Sequence, residues 1–431
     1  MAASYHILCT GDVHLGRHPA RVPVQDDALT VEHVWQHAID TAIRRDVDAV
    51  VLTGDLVDRE NKMYEAFGTL QRGIERLTEA GIDVVAVAGN HDFDTFPRLA
   101  DALDAPRFYL LGRGGQWDRV ALPEASPQVR FVGWSFPDAH VLDAPVETLN
   151  LPAASEPTIG VMHADAGTRQ GRYAPVSRRA LAQTPVDAWL LGHLHTPADH
   201  WEGDQFQLYP GSLQPLDPGE RGPHGPWIIT VAPEGKVDAQ AVPLATVRYE
   251  RVTIDVTEHE TADAVEQDLL RTLRGRLETA VRNAESTRRL VARLHIEGRT
   301  SLLRALEART KTIRRDLSVH VGEATASIDA VTFDTRPDHD LEALAEGRDA
   351  PAVLAQLLLD LKHGRETEAA SNLLRDAQNA AQTVHEAPGY DPLRRDPDVP
   401  DPPSGEALRS ILYRRGLLLL DALHAQSGTS G

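Results

Sequence analysis

Five short apolar runs in the first half of the chain each stop at a cluster of carboxylate, amide or imidazole side chains. Tyr5 to Cys9 leads into Thr10-Gly11-Asp12-Val13-His14, and Ala49 to Leu52 into Thr53-Gly54-Asp55-Leu56-Val57-Asp58-Arg59. Ile82 to Ala88 leads into Gly89-Asn90-His91-Asp92, Thr158 to Met162 into His163, and Ala188 to Leu191 into Gly192-His193-Leu194-His195. Runs this short and this apolar read as buried strands. Amphipathic helices are expected between the first three, over about Thr30 to Arg44 and Met63 to Glu79. Such alternation argues for an α/β layer with parallel strands, and open α/β sheets place their ligands past the carboxyl ends of the strands. Packing alone does not explain a strand that ends in glycine, amide, imidazole and carboxylate. The order makes sense if Asn90 and His91 face something highly charged.

From about Phe108 the texture changes to short strands without long helices between them, such as Arg119 to Leu122 and Val129 to Trp134. Gln207 to Ser212, Trp227 to Val231 and Val237 to Val242 complete a first domain, 1–245. A second unit, 246–336, reads as a small α+β domain. It has strands at Tyr249 to Val256, Leu290 to Ile296 and Ala330 to Thr335, and helices at Ala262 to Ala284 and Thr300 to Thr310. The remainder, 337–431, is helical over Pro351 to Lys362 and Glu366 to Val384. A Pro/Asp-rich linker, Gly389 to Pro403, follows, and Ser404 caps a final amphipathic helix reaching about His424. That helix carries Leu408, Ile411, Leu412 and Leu419 at helical spacing, a face that either packs on its own domain or enters a partner's groove, and its detachment behind the linker favours the partner. The tail from Ser427 is expected to fray.

The formal net charge of -20 argues against non-specific nucleic-acid binding, so any basic patch must be local. All but Lys62, Lys236, Lys311 and Lys362 of the 44 Lys and Arg residues are arginine, a composition that suits a high-salt cytoplasm. Arg271, Arg274, Arg276, Arg282, Arg288, Arg289 and Arg293 crowd into the second unit, with Arg314 and Arg315 beyond them. They form either a phosphate-neutralising surface or a helix face paired with Glu278 and Glu285. The single cysteine, Cys9, lies inside an apolar run and reads as a small buried hydrophobe in a reducing compartment. It excludes an intrachain disulfide and a Cys-rich metal site. The sequence shows neither a signal-peptide pattern nor a run long enough to span a bilayer, so a cytoplasmic protein without a membrane partner is expected.

Collected, the strand-end residues Asp12, His14, Asp55, Asn90, His163, His193 and His195 offer carboxylate, imidazole and amide oxygen without thiolate. That set suits two divalent ions of the Mn²⁺, Fe²⁺ or Zn²⁺ type. Asp-x-His on an extended exit points both side chains to one side. A carboxylate bridges two ions best, and Asp55 is the natural candidate. Two ions roughly 3.5–4 Å apart generate hydroxide at neutral pH and clamp a phosphoryl group for in-line displacement. His18, His140, His200 and His224 read as solvated or structurally hydrogen-bonded.

Asp12-x-His14, Gly54-Asp55-x-x-Asp58-Arg59, Gly89-Asn90-His91-Asp92, His163 and Gly192-His193-x-His195 together resemble the signature set of the calcineurin-like metallophosphoesterases. The resemblance implies a four-layer αββα sandwich, followed here by a small α+β capping domain and C-terminal helices. It implies that Asp12, His14 and His195 hold one ion and Asn90, His163 and His193 the other, with Asp55 shared. His91 would stabilise the scissile phosphate and protonate the leaving oxygen, oriented by Asp58 or Asp92. Arg59 would touch phosphate or sit in a surface salt bridge.

Asp12-Val13-His14-Leu15-Gly16, Gly192-His193-Leu194-His195-Thr196-Pro197 and Tyr209-Pro210-Gly211-Ser212-Leu213-Gln214 resemble the SbcD-type DNA repair exonucleases. The later layout, with Thr335-Arg336-Pro337 leading into helices, is similar to their YhaO-like branch. The implied protein is a manganese-favouring nuclease, with Fe²⁺, Zn²⁺ or Mg²⁺ as other ions, in which a metal-bridging hydroxide hydrolyses DNA at double-stranded ends or hairpins. The resemblance also implies a homodimer paired with an SbcC- or YhaN-like coiled-coil ATPase in double-strand break repair. Two other functions remain open to a chain with these motifs. One is phosphoester hydrolysis on small nucleotides or phosphoproteins, and the other is sensing of DNA ends within an ATPase complex.

Overall fold

The computed structural model describes all residues except 1–3, 59–64, 104, 123–127, 153, 337–338, 388–404 and 428–431. The expectations for Arg59, Lys62, the helix start at Met63, Pro337, the linker 389–403, the Ser404 cap and the last four residues lie outside the described residues. No described helix is long and apolar enough to cross a membrane.

The chain runs β1 (Tyr5–Thr10), α1 (Val31–Arg44), β2 (Ala49–Leu52), α2 (Glu65–Glu79), β3 (Asp83–Ala86), α3 (Phe96–Ala102) and β4 (Phe108–Leu110). It continues through β5 (Asp118–Ala121), β6 (Arg130–Trp134), β7 (Thr158–His163), α4 (Arg178–Ala182), β8 (Ala188–Gly192), β9 (Ala198–Glu202), β10 (Gln205–Tyr209), β11 (Trp227–Val231) and β12 (Val237–Ala241). One six-stranded sheet has the order β12-β11-β1-β2-β3-β4, the other β5-β6-β7-β8-β10-β9. The central strands of both are parallel, as expected from the alternation.

Strand periodicity builds the layers, because successive side chains point to opposite faces. Tyr5, Ile7, Cys9, Ala49, Val51 and Val85 of the first sheet pack against Phe131, Ile159, Val161, Ala188, Leu190 and Leu208 of the second. The alternate residues Leu8, Val50, Leu52, Val84 and Ala86 turn outward onto Trp35 and Ile39 of α1 and Leu70 and Ile74 of α2. On the far side, Val132, Met162, Trp189 and Leu191 meet Leu181 of α4 and the loops around it. This is the αββα sandwich. Full burial of each Val, Leu, Ile, Phe or Met among them contributes about 1.5–3 kcal/mol. Cys9 is fully buried in the middle layer, and burial pushes its thiol pKa up. The register sets Thr10, Leu52 and Ala86 side by side and pairs His163 with Gly192, so the polar strand ends lie level within each sheet.

Beyond these sheets the chain forms β13 (Val247–Asp255), α5 (Ala262–Asn283), β14 (Arg289–Arg299), α6 (Leu303–Asp316), β15 (Ser318–Val321) and β16 (Ala324–Arg336), then α7 (Leu341–Ala345), α8 (Ala350–His363), α9 (Glu368–His385) and α10 (Gly405–Ser427). The third sheet has the order β13-β14-β16-β15. The short β15 and the long β16, thirteen residues, replace the single strand expected near Ala330. Two compact units result. One comprises Met1–Val252, Leu270–Arg293 and Asp316–Ala330, and the other Thr253–Leu269, Leu294–Arg315 and Val331–Gly431.

Two open readings are narrowed. The last helix takes the first of its alternatives and packs on its own domain. Its Leu417 and Leu420 are buried with Leu341, Leu358, Leu359 and Leu361 of α7 and α8. Of the face expected, Leu408 is buried and Leu412 packs at the edge of this cluster, while Ile411 and Leu419 are exposed. The uninterrupted run Leu417 to Leu420 offers more than one apolar face, and packing on α8 selects among them. The arginine run is not a single paired helix face. Arg293 pairs with Asp329 at 3.2 Å and Arg288 with Glu323 at 3.6 Å, while Arg274, Arg276 and Arg282 of α5 are exposed.

Gln214 joins the sandwich to the start of β13. Its side chain is fully buried, donates to Leu29 O and Thr246 Oγ1, and accepts from the backbone N–H groups of Thr246 and Val247. Gln214→Leu strands these groups away from water, each at about 1–3 kcal/mol. The variant is expected to lose about 2–4 kcal/mol of stability in urea unfolding. A loss under about 0.5 kcal/mol would show that the amide is dispensable.

Candidate metal centre

The strand-end loops are held in an unusual backbone geometry. Asp12, His14, Asp55 and His193 have φ of 46°, 50°, 51° and 102°, in the left-handed region that residues other than glycine seldom enter. Such strain costs of order 1–3 kcal/mol per residue and persists where the surroundings over-determine it. Here the first two loops zip together. Asp12 N–H donates to Gly54 O, His14 N–H to Asp55 O and Leu15 N–H to Leu56 O, at 2.9–3.0 Å. Side chains complete the brace. Asp92 is fully buried and accepts from the backbone N–H of Leu56 and of Gly89, both at 2.7 Å. Asp55 accepts from His91 N–H at 2.7 Å, and Asp12 from His193 N–H at 3.0 Å. Two glycines permit this approach, since a Cβ at Gly89 would lie 2.2 Å from Asp55 Oδ1 and one at Gly192 would lie 2.1 Å from Thr53 O.

Two imidazoles, His163 and His195, share one arrangement, and His14 approaches it without a hydrogen bond at Nδ1. His163 turns Nδ1 to Thr53 O at 3.0 Å and Nε2 to Asn90 Oδ1 at 3.0 Å and Asp55 Oδ2 at 3.2 Å. His195 turns Nδ1 to Glu220 Oε1 at 2.9 Å and Nε2 toward Asp12. His14 turns Nδ1 toward Asp58, 3.6 Å away, and its Nε2 lies 3.1 Å from that of His195. Metal-bound histidines characteristically give the second ring N–H to a carboxylate or carbonyl, which fixes the tautomer and aims the lone pair. Asp12, His14 and His195 bring ligand atoms within 4.8 Å of one another, and so do Asp12, Asp55 and His163. With Asn90 oxygen beside the second group, this donor set fits two divalent cations of the oxygen- and nitrogen-loving kind. Asp12 belongs to both groups and adjoins Asp55.

Electrostatics points the same way. Burial raises the pKa of Asp12. Burial also acts on Asp55, but the charge and hydrogen bond of His163 outweigh it and hold that carboxyl below the usual range. Burial would lower the pKa of His163, yet Asp55 outweighs it and lifts the value to about 9. Burial and then the charge of His163 push His193 down to about 3, leaving a neutral imidazole able to donate a lone pair. A divalent cation offered to this cluster competes with the proton on His163.

The remaining expected residues separate by role. His193 is half-buried, and its ring packs edge-on against His163 at 5.4 Å. His91 is half-buried and forms a third cluster with His14 and Asp58 within 4.8 Å. Asp58 is therefore the carboxylate beside His91, whereas both oxygens of Asp92 brace the backbone. Asp58 is also held by Arg17 at 3.4 Å. His18 is exposed, and His200 pairs with Glu202 at 3.1 Å. His224 is buried with Nδ1 on Ser212. Sequence reasoning missed Glu220, which is anchored by Ser212 Oγ at 2.7 Å and Leu216 N–H at 3.0 Å. It lies 25 residues beyond His195 in a loop, and no local pattern marks it.

Residues 5–197 match the family described as calcineurin-like phosphoesterase, and residues 249–336 match the middle domain of metallophosphoesterase YhaO. The chain is 26% identical over 252 residues to the metallophosphoesterase YhaO of Bacillus subtilis, covering 54% of this chain and 57% of that protein. It is 29% identical over 286 residues to the DNA double-strand break repair protein Mre11 of Haloferax volcanii, covering 61% and 57%. It is 30% identical over 247 residues to the protein of that name from Halobacterium salinarum, covering 54% and 58%. The chain thus spans a little over half the length of these curated relatives. With the sandwich and the gathered strand-end side chains, these matches identify residues 5–197 as a calcineurin-like phosphoesterase domain and support the SbcD/YhaO type for the chain.

Proposed function

We propose that the protein is a dinuclear, manganese-favouring DNA nuclease that cleaves phosphodiesters at double-stranded ends or hairpins. The observation that carries this reading is the set of inward Nε2 atoms of His14, His163 and His195 around buried Asp12 and Asp55, with the Nδ1 atoms of His163 and His195 anchored by hydrogen bonds. Asp12, His14 and His195 would hold one ion, and Asn90, His163 and His193 the other, with Asp55 between them. The ions, when bound, supply an activated water and neutralise phosphate charge. The protein's own groups do the rest. His91, fixed through its backbone N–H to Asp55, lies at the edge of the cluster where its imidazole can protonate the departing oxygen. Asp58 orients it, and Asp92 keeps the two loops in register.

The division into a nuclease domain (1–245), a capping domain (246–336) and a C-terminal helical region (337–431) belongs to the same proposal. So do a homodimer in the cytoplasm and a coiled-coil ATPase partner. The relatives named for DNA double-strand break repair support the substrate class. Arg274, Arg276 and Arg282, exposed on α5, would meet phosphates.

The first test is cleavage of end-labelled linear double-stranded DNA with Mn²⁺, Mg²⁺ or chelator, at low and high salt. Mn²⁺-dependent shortening is expected, and it should vanish in Asp55→Ala. Cleavage that persists in chelator or in the variant would refute the assigned centre. His91→Ala is expected to retain both Mn²⁺ sites by calorimetry while cleavage falls about 10²–10⁴-fold. Full activity would remove His91 from the chemistry. Glu220→Ala should weaken one Mn²⁺ site by about 10–100-fold while leaving the other intact. An unchanged two-site isotherm would show that Glu220 does not aim His195.

A further inference from the structure

The centre has an aromatic extension that holding ions does not require. The ring of His193 lies against Tyr173 with centroids 4.8 Å apart, and Tyr173 stacks on His140 at 5.7 Å with 29° between planes. Tyr173 is half-buried and His140 exposed, so the three rings step from the cluster out to solvent.

The placement of Tyr173 is tightly specified. Val141 N–H donates to Arg172 O at 2.8 Å, Ala174 N–H to Val141 O at 2.8 Å and Asp165 N–H to Tyr173 O at 2.9 Å. These bonds hold Ala174 at φ 51°, a conformation that a residue without a polar side chain rarely adopts. The strain sets the direction in which the neighbouring Tyr173 leaves the backbone, and strain of this kind gathers at ligand sites.

The same two segments continue into a groove of about 610 Å³. Its lining includes two arginines, Arg169 and Arg179, and two acids, Asp143 and Glu147, and Leu142 stands 68% exposed at its edge. A charge-balanced groove with an exposed apolar residue is ill suited to tracking a phosphate backbone and well suited to a flat, uncharged ring.

We propose that Tyr173 and His140 form a stacking subsite for a nucleobase of the substrate, next to the phosphodiester held at the metal centre. The proposal rests on the phosphodiesterase reading and adds how the substrate is gripped. Every base has a π-face, so such a subsite selects nucleotides over simple phosphodiesters without selecting a sequence. The competing role for Tyr173 is to prop the ring of His193.

The test compares two diesters with one leaving group, the 4-nitrophenyl ester of thymidine 5′-phosphate and 4-nitrophenyl ethyl phosphate, at saturating Mn²⁺. The wild-type protein is expected to show a KM about tenfold lower for the nucleotide ester, the size of one base stacked on an aromatic side chain. Tyr173→Phe should keep that preference, and Tyr173→Leu should bring the two KM values within about twofold of each other. Absence of a preference in the wild type overturns the subsite. So does a Leu variant that loses kcat equally on both esters with the preference intact, which is the signature of a prop. Hydrolysis of neither ester would sink the phosphodiesterase reading itself, and the subsite with it. An abasic nucleoside at the end of a linear duplex then separates the sources. Slower cleavage assigns the stacked base to a DNA end, and an unchanged rate assigns it to a small nucleotide.

Discussion

Two carboxylates, Asp12 and Asp55, are buried side by side among imidazoles, and the rest of the architecture serves that juxtaposition. Like charges in a poorly solvated site repel strongly, so such a pair survives folding only with positive charge close by. Two of the surrounding histidines, His163 and His195, are held from behind by Thr53 O and Glu220, and His14 has Asp58 behind it at 3.6 Å, while their Nε2 atoms face the carboxylates. The left-handed backbone at Asp12, His14, Asp55 and His193 follows from the same demand. The extended exit expected for Asp12 and His14 is replaced by left-handed backbone at both residues. A single reversal at each turns them inward.

The parts of this arrangement that follow local rules were legible in the sequence. Short apolar runs ending in polar clusters give the parallel strands and the edge at which ligands collect. The pairs Asp12 with His14 and His193 with His195 announce themselves by spacing. Glu220 does not, because its relation to His195 exists only once a loop after β10 has folded back, and nothing within a few residues of it carries the information. Asp58 and Asp92 show the same limit at shorter range. Both sit in recognisable motifs, but only the hydrogen bonds to Leu56 and Gly89 reveal that Asp92 splices two loops together, leaving Asp58 as the neighbour of His91.

The C-terminal helices illustrate a different limit. Four consecutive leucines, Leu417 to Leu420, satisfy helical periodicity on several faces at once, so the pattern does not say which face is buried. Packing against Leu358 and Leu361 decides it. In the third sheet, one strand was expected where a hairpin forms, because the turn at Gly322 sits between runs of modest hydrophobicity. Tertiary partners carry that information in both cases.

The proposed ligand set draws on both sheets. Asp12, Asp55 and Asn90 follow strands of the first, while His163 ends a strand of the second and His193 and His195 follow another. The centre therefore acts as a gauge of how the two layers are registered across the middle core. A methylene added or removed at Val161 or Val51, well below the proposed chemistry, would shift one half of the proposed ligand set against the other. Ions bound there would staple the layers in return, so that metal affinity and core packing would be two readings of a single distance.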